Sequence, residues 1–332
     1  MTKTLLATLV LALLPSAFAQ LPDMYKSVDR ILWVVKDLDR VTTAWQKFGF
    51  SEIRRIGELP TRDVYRGKAL DGQALLALGR IGDVQVAWIQ PLTDSGAYAQ
   101  FLAAHSDGVF SLTHRAPTPE ALTREIDRLR ALGIEVLQRT EIDAGSGTVT
   151  LVQMDTEAQG AYSLGLSYLP PEVAADNDVP ASPGAPRLAH FAFVARDIHA
   201  VSAFWSKLGF PEMSYSHGPL SKPIYRDHPG RFDMELGWQR HVQPSFEWIQ
   251  SFKGPSVYEE YLKAHGQGVH HIGVPVDDID KAIADWKRLG YPVVQSGGWG
   301  QEGKPGSGRF AYLDTAPSGG LVVELLWSHP SR

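Results

Sequence analysis

The sequence of 332 residues contains no cysteine. This absence excludes disulfide bonds, thiolate metal sites and cysteine nucleophiles, so any bound metal would take nitrogen and oxygen ligands. The formal net charge is only −5, from 32 Lys and Arg against 37 Asp and Glu, which excludes nucleic-acid binding driven by bulk positive charge. Hydrophobic residues make up 44% and charged residues 21%, an ordinary globular composition, and the length favours two domains.

Hydrophobic runs long enough to span a bilayer are also absent. The N-terminal run from Leu5 to Leu14 is well short of the ~20 residues that a spanning helix needs. It is followed by the small-residue triplet Ala17-Phe18-Ala19, which is typical of a signal-peptide cleavage site. We predict that residues 1–19 are a signal peptide, which indicates a periplasmic or secreted protein with no membrane span after cleavage. A retained membrane anchor is the alternative.

The chain contains one long internal repeat. A motif around Trp45 recurs around Trp205, about 160 residues later. Similar spacing relates further pairs, which are Tyr65 and Tyr225, Arg66 and Arg226, Trp88 and Trp248, and His105 and His265. Residues that both copies share are most simply explained as scaffold, whereas residues found in one copy only are candidates for chemistry.

The repeat predicts two similar domains. The first covers residues 26–170 and the second covers residues 187–328, with a linker at 171–186 that has no apolar periodicity. Each domain divides again into two units, in which an apolar strand, a short acidic turn, an amphipathic helix and several strands follow one another. In the last unit, Asp278 or Asp280 is expected to cap the helix.

The openings and endings of these units resemble a known superfamily. The segment from Gly268 to Asp280 and the strand from Leu321 to Leu326 are similar to those of the vicinal oxygen chelate superfamily. That group includes glyoxalase I, methylmalonyl-CoA epimerase, bleomycin-resistance proteins and extradiol dioxygenases, and the nearest likeness is to the glyoxalase I and epimerase branch. The resemblance implies an α+β fold of four βαβββ units, paired into two cupped mixed sheets. It also implies one divalent metal ion inside a cup, held by the first and last strands of each unit.

Carried over to this chain, the resemblance predicts a metal site in the second domain only. Its ligands would be His190, Glu247, His271 and Glu324. The corresponding residues of the first domain are Arg30, Ala87, Ser111 and Gly165, so all four ligands are missing there together. Two imidazoles and two carboxylates suit zinc, nickel, cobalt, manganese or iron.

The sequence around these residues adds two arguments. Glu247 and Glu324 lie within apolar strands, where an unpaired carboxylate is costly, so both are expected to have a strong partner. Successive strand side chains point to opposite faces, so only one of His270 and His271 is expected to face the cavity. Register with His190 selects His271, and His270 is then expected to face the helix layer or an interface.

A glycine-rich segment at 297–309 indicates a loop near the site or a long flexible hairpin connection. We consider Trp299, Lys304 and Arg309 of this segment, together with Arg226, as candidate substrate-binding residues. The sequence is equally consistent with a loop near the site and with a flexible hairpin connection.

The predicted function is that of a metal-dependent lyase, isomerase or epimerase. The resemblance implies a small oxygenated substrate chelated to the metal, an enolate stabilised there, and Glu324 or Glu247 carrying the proton. One alternative is a non-catalytic protein that binds or sequesters a small molecule. The other is an extradiol-type dioxygenase, against which Glu247 argues because it fills the position that such enzymes leave free. The first domain is expected to wall the cavity, to form a homodimer or only to stabilise the second domain.

Overall fold

The computed structural model describes residues 21–330, so the predicted signal peptide lies outside the described residues. The first half contains strands β1 (Arg30–Val34), β2 (Arg54–Tyr65), β3 (Lys68–Ile81), β4 (Val84–Pro91), β5 (Gly108–Arg115), β6 (Val136–Asp143), β7 (Thr148–Met154) and β8 (Ser163–Tyr168), and helices α1 (Leu38–Lys47), α2 (Ala97–His105), α3 (Pro119–Ala131) and α4 (Glu157–Gly160). Helix α5 (Pro171–Asn177) follows. The second half contains strands β9 (His190–Val194), β10 (Ser214–His217), β11 (Ser221–Tyr225), β12 (His228–Pro229), β13 (Asp233–Gln239), β14 (Ser245–Lys253), β15 (Gly268–Pro275), β16 (Val293–Trp299), β17 (Gly308–Leu313) and β18 (Val322–Ser328), and helices α6 (Ile198–Lys207), α7 (Val257–His265) and α8 (Ile279–Arg288). No helix within residues 21–330 is long and apolar enough to cross a membrane.

Each half is one curved mixed sheet, which confirms the predicted fold class. The first half forms a closed barrel in the order β1-β4-β3-β2-β6-β7-β8-β5. The second half is a ten-stranded sheet in the order β10-β13-β14-β9-β15-β18-β17-β16-β11-β12. In every unit the first and last strands pair in parallel, as β1 does with β4 and β9 with β14, and the first strands of the two units in each half pair antiparallel.

The two sheets differ where the first one closes. Strand β2 is one continuous strand and bridges to β6 through residues 62–65. The corresponding segment of the second half is split into β10, which pairs with β13, and β11, which pairs with β16. The second sheet therefore keeps two ends, at β10 and β12.

The residues shared by both copies hold the two halves together. The Trp45 indole on α1 donates to the Ser318 carbonyl at 2.9 Å, and the Trp205 indole on α6 donates to the Gly160 carbonyl at 3.2 Å. Nδ1 of His105 and of His265 each lie within hydrogen-bond distance of the other residue's carbonyl, at 2.5 and 2.6 Å. One hydrophobic core, which includes these tryptophans, draws residues from both halves, so the repeat is built as a symmetric pair.

Inside each curved sheet lies a separate core. The barrel interior is filled by apolar side chains such as Leu32, Leu78 and Ile89. Val179, in the segment 171–186 that we predicted as a linker, packs into that barrel core. The interior of the second sheet contains aromatic residues, among them Tyr258 and Tyr312.

Candidate metal centre

Four strands of the second sheet bring the predicted ligands together. His190 begins β9, Glu247 lies on β14, His271 on β15 and Glu324 on β18. Their order in the sheet is β14-β9-β15-β18, so the four side chains come from adjacent strands. All four are buried, and between 0% and 6% of each residue is exposed.

Gly273 permits this arrangement. It pairs with His190 on one side of β15 and with Glu324 on the other. A Cβ atom at Gly273 would lie 2.3 Å from Cε1 of His190, so any side chain would displace that imidazole. Gly273 differs between the two copies of the repeat, because the first half has Thr113 at the corresponding position, and this difference is the signal that could have identified it.

The ligand atoms of these four residues all lie within 4.8 Å of one another. Nε2 of His190 is 3.1 Å from Oε2 of Glu324 and 3.4 Å from Oε2 of Glu247. Nε2 of His271 is 3.3 Å and 3.4 Å from the same two oxygens. Within residues 21–330, no other group of three or more His, Asp or Glu residues meets this criterion.

Charge is concentrated in this buried cluster. Burial lowers the pKa of His271, but Glu324 and Glu247 outweigh that effect and raise it to about 9. Burial raises the pKa of Glu324, but His271 and His190 outweigh that effect and lower it to about 2. Nε2 of His271 makes no hydrogen bond to any described residue, although it is fully buried. A buried carboxylate pair and an unbonded imidazole nitrogen that converge in this way fit a divalent cation bound by N and O ligands.

One protein family matches part of the chain. Residues 189–312 match the family model of the Glyoxalase/Bleomycin resistance protein/Dioxygenase superfamily. This match covers 124 of the 332 residues, all of them in the second half. The glyoxalase I and epimerase branch within that superfamily stays a prediction. No curated protein matches the chain.

Two solved structures have a similar fold over nearly the whole chain. A triple mutant of 4-hydroxymandelate synthase from Streptomyces coelicolor has a TM-score of 0.57 and 18% identity, covering 92% of this chain and 94% of that one. A fusion protein of a xylose isomerase-like TIM barrel and 4-hydroxyphenylpyruvate dioxygenase has a TM-score of 0.53 and 14% identity, covering 93% of this chain and 50% of that one. At this identity the likeness establishes the tandem fold and no more.

The register of β15 corrects one prediction, the orientation of His270. Strand β15 has a register shift between Val269 and His271, which is a β-bulge. Val269 and Ile272 both pack in the core that the halves share, whereas the rings of His270 and His271 both contact Tyr312 on the inner face. Simple alternation fails here because the bulge inserts one extra residue. His270 therefore supports the cluster, with its Nδ1 2.9 Å from Nδ1 of His271.

A tyrosine pair borders the same cluster. The hydroxyl groups of Tyr258 and Tyr312 are 2.8 Å apart, and the Tyr312 ring centroid lies 4.8 Å from that of His271. Sequence reasoning missed both residues. The first copy has Tyr98 at the position of Tyr258, and residues that both copies share were interpreted as structural. Tyr258 was therefore not considered as a site residue.

The candidate substrate-binding residues lie apart from the cluster. Trp299 and Arg309 line a surface cavity of about 670 Å³, to which none of the four predicted ligands contributes. Phe310 in its wall contacts Tyr312, which in turn contacts His271, so two aromatic side chains lie between this cavity and the cluster. The Arg309 guanidinium is paired with Asp280 at 2.8 Å.

The other two candidates also lie at the surface. Arg226 makes two hydrogen bonds to Glu260, at 2.8 and 2.7 Å. Lys304 is exposed in the turn between β16 and β17. A substrate role for these four residues stays a prediction.

Proposed function

We propose that the second domain is a divalent-metal enzyme that moves a proton next to a substrate carbonyl, as a lyase, isomerase or epimerase. The observation that carries this proposal is the pair of buried carboxylates, Glu247 and Glu324, facing two imidazoles in one cluster. Burying two carboxylates costs several kcal/mol per ion unless strong partners offset it. A cation shared by both would be such a partner, and a carboxylate at its edge is a suitable proton carrier.

His190, Glu247, His271 and Glu324 would hold the ion. A bound divalent ion would act as a Lewis acid that polarises the substrate carbonyl. The low solvent exposure of the cluster strengthens this interaction, because charges attract more strongly where water is excluded.

The proton transfer itself is assigned to a glutamate. Glu247 or Glu324 takes the proton from the carbon next to the carbonyl and returns it to another atom or to the opposite face. His190 and His271 each contact both carboxylates and would orient them during the transfer. The substrate and product of such a step have the same oxidation state, so no oxidant is needed.

An oxygenase is the second candidate, and the structural neighbours favour it. By their names, those neighbours are 4-hydroxymandelate synthase and 4-hydroxyphenylpyruvate dioxygenase. Glu247 distinguishes the two candidates, because a fourth protein ligand leaves fewer positions for oxygen. Dependence on ferrous iron together with oxygen uptake would identify the oxygenase, whereas proton exchange without oxygen uptake would identify the lyase or isomerase.

The test is elemental analysis of the purified full chain beside the Glu247→Ala and Glu324→Ala variants. About one divalent ion per chain, lost in both variants, supports the site and justifies assays for proton exchange. Absence of metal after reconstitution with zinc, nickel, cobalt, manganese and ferrous iron overturns the proposal and favours a non-catalytic binding protein. We further propose export, from the signal-like residues 1–19, which makes a periplasmic or extracellular small molecule the substrate.

A further inference from the structure

The barrel of the first half encloses a cavity of about 340 Å³. Its inner wall is apolar and includes Leu32, Leu78, Ala87, Ile89 and Leu151. The mouth has apolar side chains as well, since Ile56 is 36% exposed and Ile142 and Val149 are half-buried there, beside the exposed Asp143. Eight-stranded barrels are wide enough to hold one small ligand, and a dry apolar cavity of about 150 Å³ already binds benzene.

The repeat shows how the cavity arises. Ala87 lies in its wall at the position where the second half has Glu247. The barrel therefore has a methyl group where the other sheet has a charged side chain. Ala87 accounts for one of the four missing ligands, and it leaves this part of the wall apolar.

The charged groups at the cavity are already engaged. Arg30 is 5% exposed and donates to Asp178 at 2.8 Å, so its charge is paired. Asp143 at the mouth accepts a hydrogen bond from the Gly145 backbone at 2.9 Å. An anionic ligand would have to displace Asp178 from Arg30, and the one carboxylate of the lining, Asp143, is exposed at the mouth and not in the lumen, which favours an uncharged ligand.

One polar group of the cavity has no protein partner. The Tyr98 hydroxyl is buried beside the Thr140 hydroxyl but makes no hydrogen bond of good geometry within residues 21–330. Thr140 beside the cavity is engaged, because it donates to Asp63 at 2.6 Å and accepts from Gln138 at 3.1 Å. In the second half Tyr258 has the partner Tyr312, whereas the first half has Gln153 at the position of Tyr312.

We infer that the first half is a ligand-binding barrel whose lumen takes one small, uncharged, mainly apolar molecule, with a single polar group that hydrogen-bonds to the Tyr98 hydroxyl. The apolar wall supplies affinity by removing the ligand's surface from water. Tyr98 supplies orientation, because burial without a partner is costly for a hydroxyl and a ligand oxygen removes that cost. The chain would then carry two unlike sites, one apolar and one ionic, on the two copies of a repeat.

The test uses the full chain and the neutral fluorophore N-phenyl-1-naphthylamine, whose emission rises in apolar surroundings. We expect saturable binding of one molecule per chain. Ala87→Phe fills the lumen and should weaken binding by about tenfold or more, equivalent to ~1.4 kcal/mol. The matched control is Ala69→Phe on the exposed end of β3, which should leave binding unchanged. Glu247→Gln should also leave it unchanged, which separates this site from the proposed metal centre.

A second comparison tests the hydroxyl without changing the packing. Naphthalene and 2-naphthol are used to displace the fluorophore from the wild-type and Tyr98→Phe proteins. Tyr98→Phe should weaken 2-naphthol about fivefold and leave naphthalene unchanged. If Ala87→Phe does not fold, this comparison decides alone. Absence of saturable binding, equal affinity in folded Ala87→Phe, or equal loss of both naphthalenes in Tyr98→Phe would overturn the inference.

Discussion

Replacement of His271 by alanine, beside Ser111→Ala at the corresponding position of the first half, tests the metal centre most directly. Nε2 of His271 lies 3.3 Å from Glu324 and 3.4 Å from Glu247, so His271→Ala removes one ligand and the partner of two buried carboxylates. Ser111 is equally buried, but its hydroxyl makes no hydrogen bond within the described part of the chain. Ser111→Ala should therefore change little.

The expected magnitude follows from linkage. A metal at a hundred times its dissociation constant stabilises the wild-type protein by ~2.7 kcal/mol. At roughly 2–4 °C per kcal/mol for domains of this size, the melting temperature should rise by about 5–11 °C. In His271→Ala this rise should vanish at the same metal concentration. The metal-free variant should also melt lower than the metal-free wild type, because breaking a buried ion pair costs about 3–5 kcal/mol.

The assay is scanning calorimetry of chelator-treated protein with and without each divalent metal, together with elemental analysis. Ser111→Ala should keep the full metal-dependent rise. An equal rise in His271→Ala and wild type would refute the ligand assignment. A rise lost in Ser111→Ala would show instead that the first half takes part in metal binding.

Three further outcomes are expected. Trp45→Phe removes the hydrogen bond to the Ser318 carbonyl and should lower the free energy of unfolding by about 1–3 kcal/mol, measured by urea titration; an unchanged value would contradict the role of this contact between the halves. Burial lowers the pKa of His114 to about 4, despite its hydrogen bond with the Ser27 carbonyl, against ~6.5 in the unfolded chain. Between about pH 6.5 and pH 4, His114 binds a proton in the unfolded chain but not in the folded one. The free energy of unfolding should therefore fall by ~3 kcal/mol as the pH drops across this range. His114→Gln should remove this part of the pH dependence. Deletion of residues 1–19 should leave a protein that stays in solution after ultracentrifugation, whereas persistent membrane partition would contradict the signal-peptide prediction.

Much of the second domain was predictable because its signals are local or repeated. Asp278 was one of the two residues predicted to cap α8, and its side chain accepts a hydrogen bond from the Lys281 amide at 2.9 Å. The family resemblance places four residues on the first and last strands of their units, and it therefore predicted that they cluster: His190, Glu247, His271 and Glu324. The absence of all four from the first copy supported this prediction. Their role as metal ligands stays a prediction.

Other features depended on tertiary structure. The bulge in β15 turned His270 inward, and bulges have no signature in the alternation of residues that predicts strand faces. Arg226 resembled a free cation in the sequence, but α7 brings Glu260 against it. The lumen behind Ala87 was equally hidden, because a cavity is a property of the space between strands and not of any one residue.

The repeat, the βαβββ order and the contrast between the two copies can all be deduced from the amino-acid sequence. These three features depend on residue identity and on periods of a few residues along the chain, and both are contained in the sequence. The closure of one sheet into an apolar barrel, while the other stays open around a charged cluster, is visible only in three dimensions. Closure depends on β2 staying continuous between β3 and β6, whereas in the second half β10 pairs with β13 and the separate strand β11 pairs with β16. The partners in such long-range pairing are chosen by packing and hydrogen bonding in three dimensions.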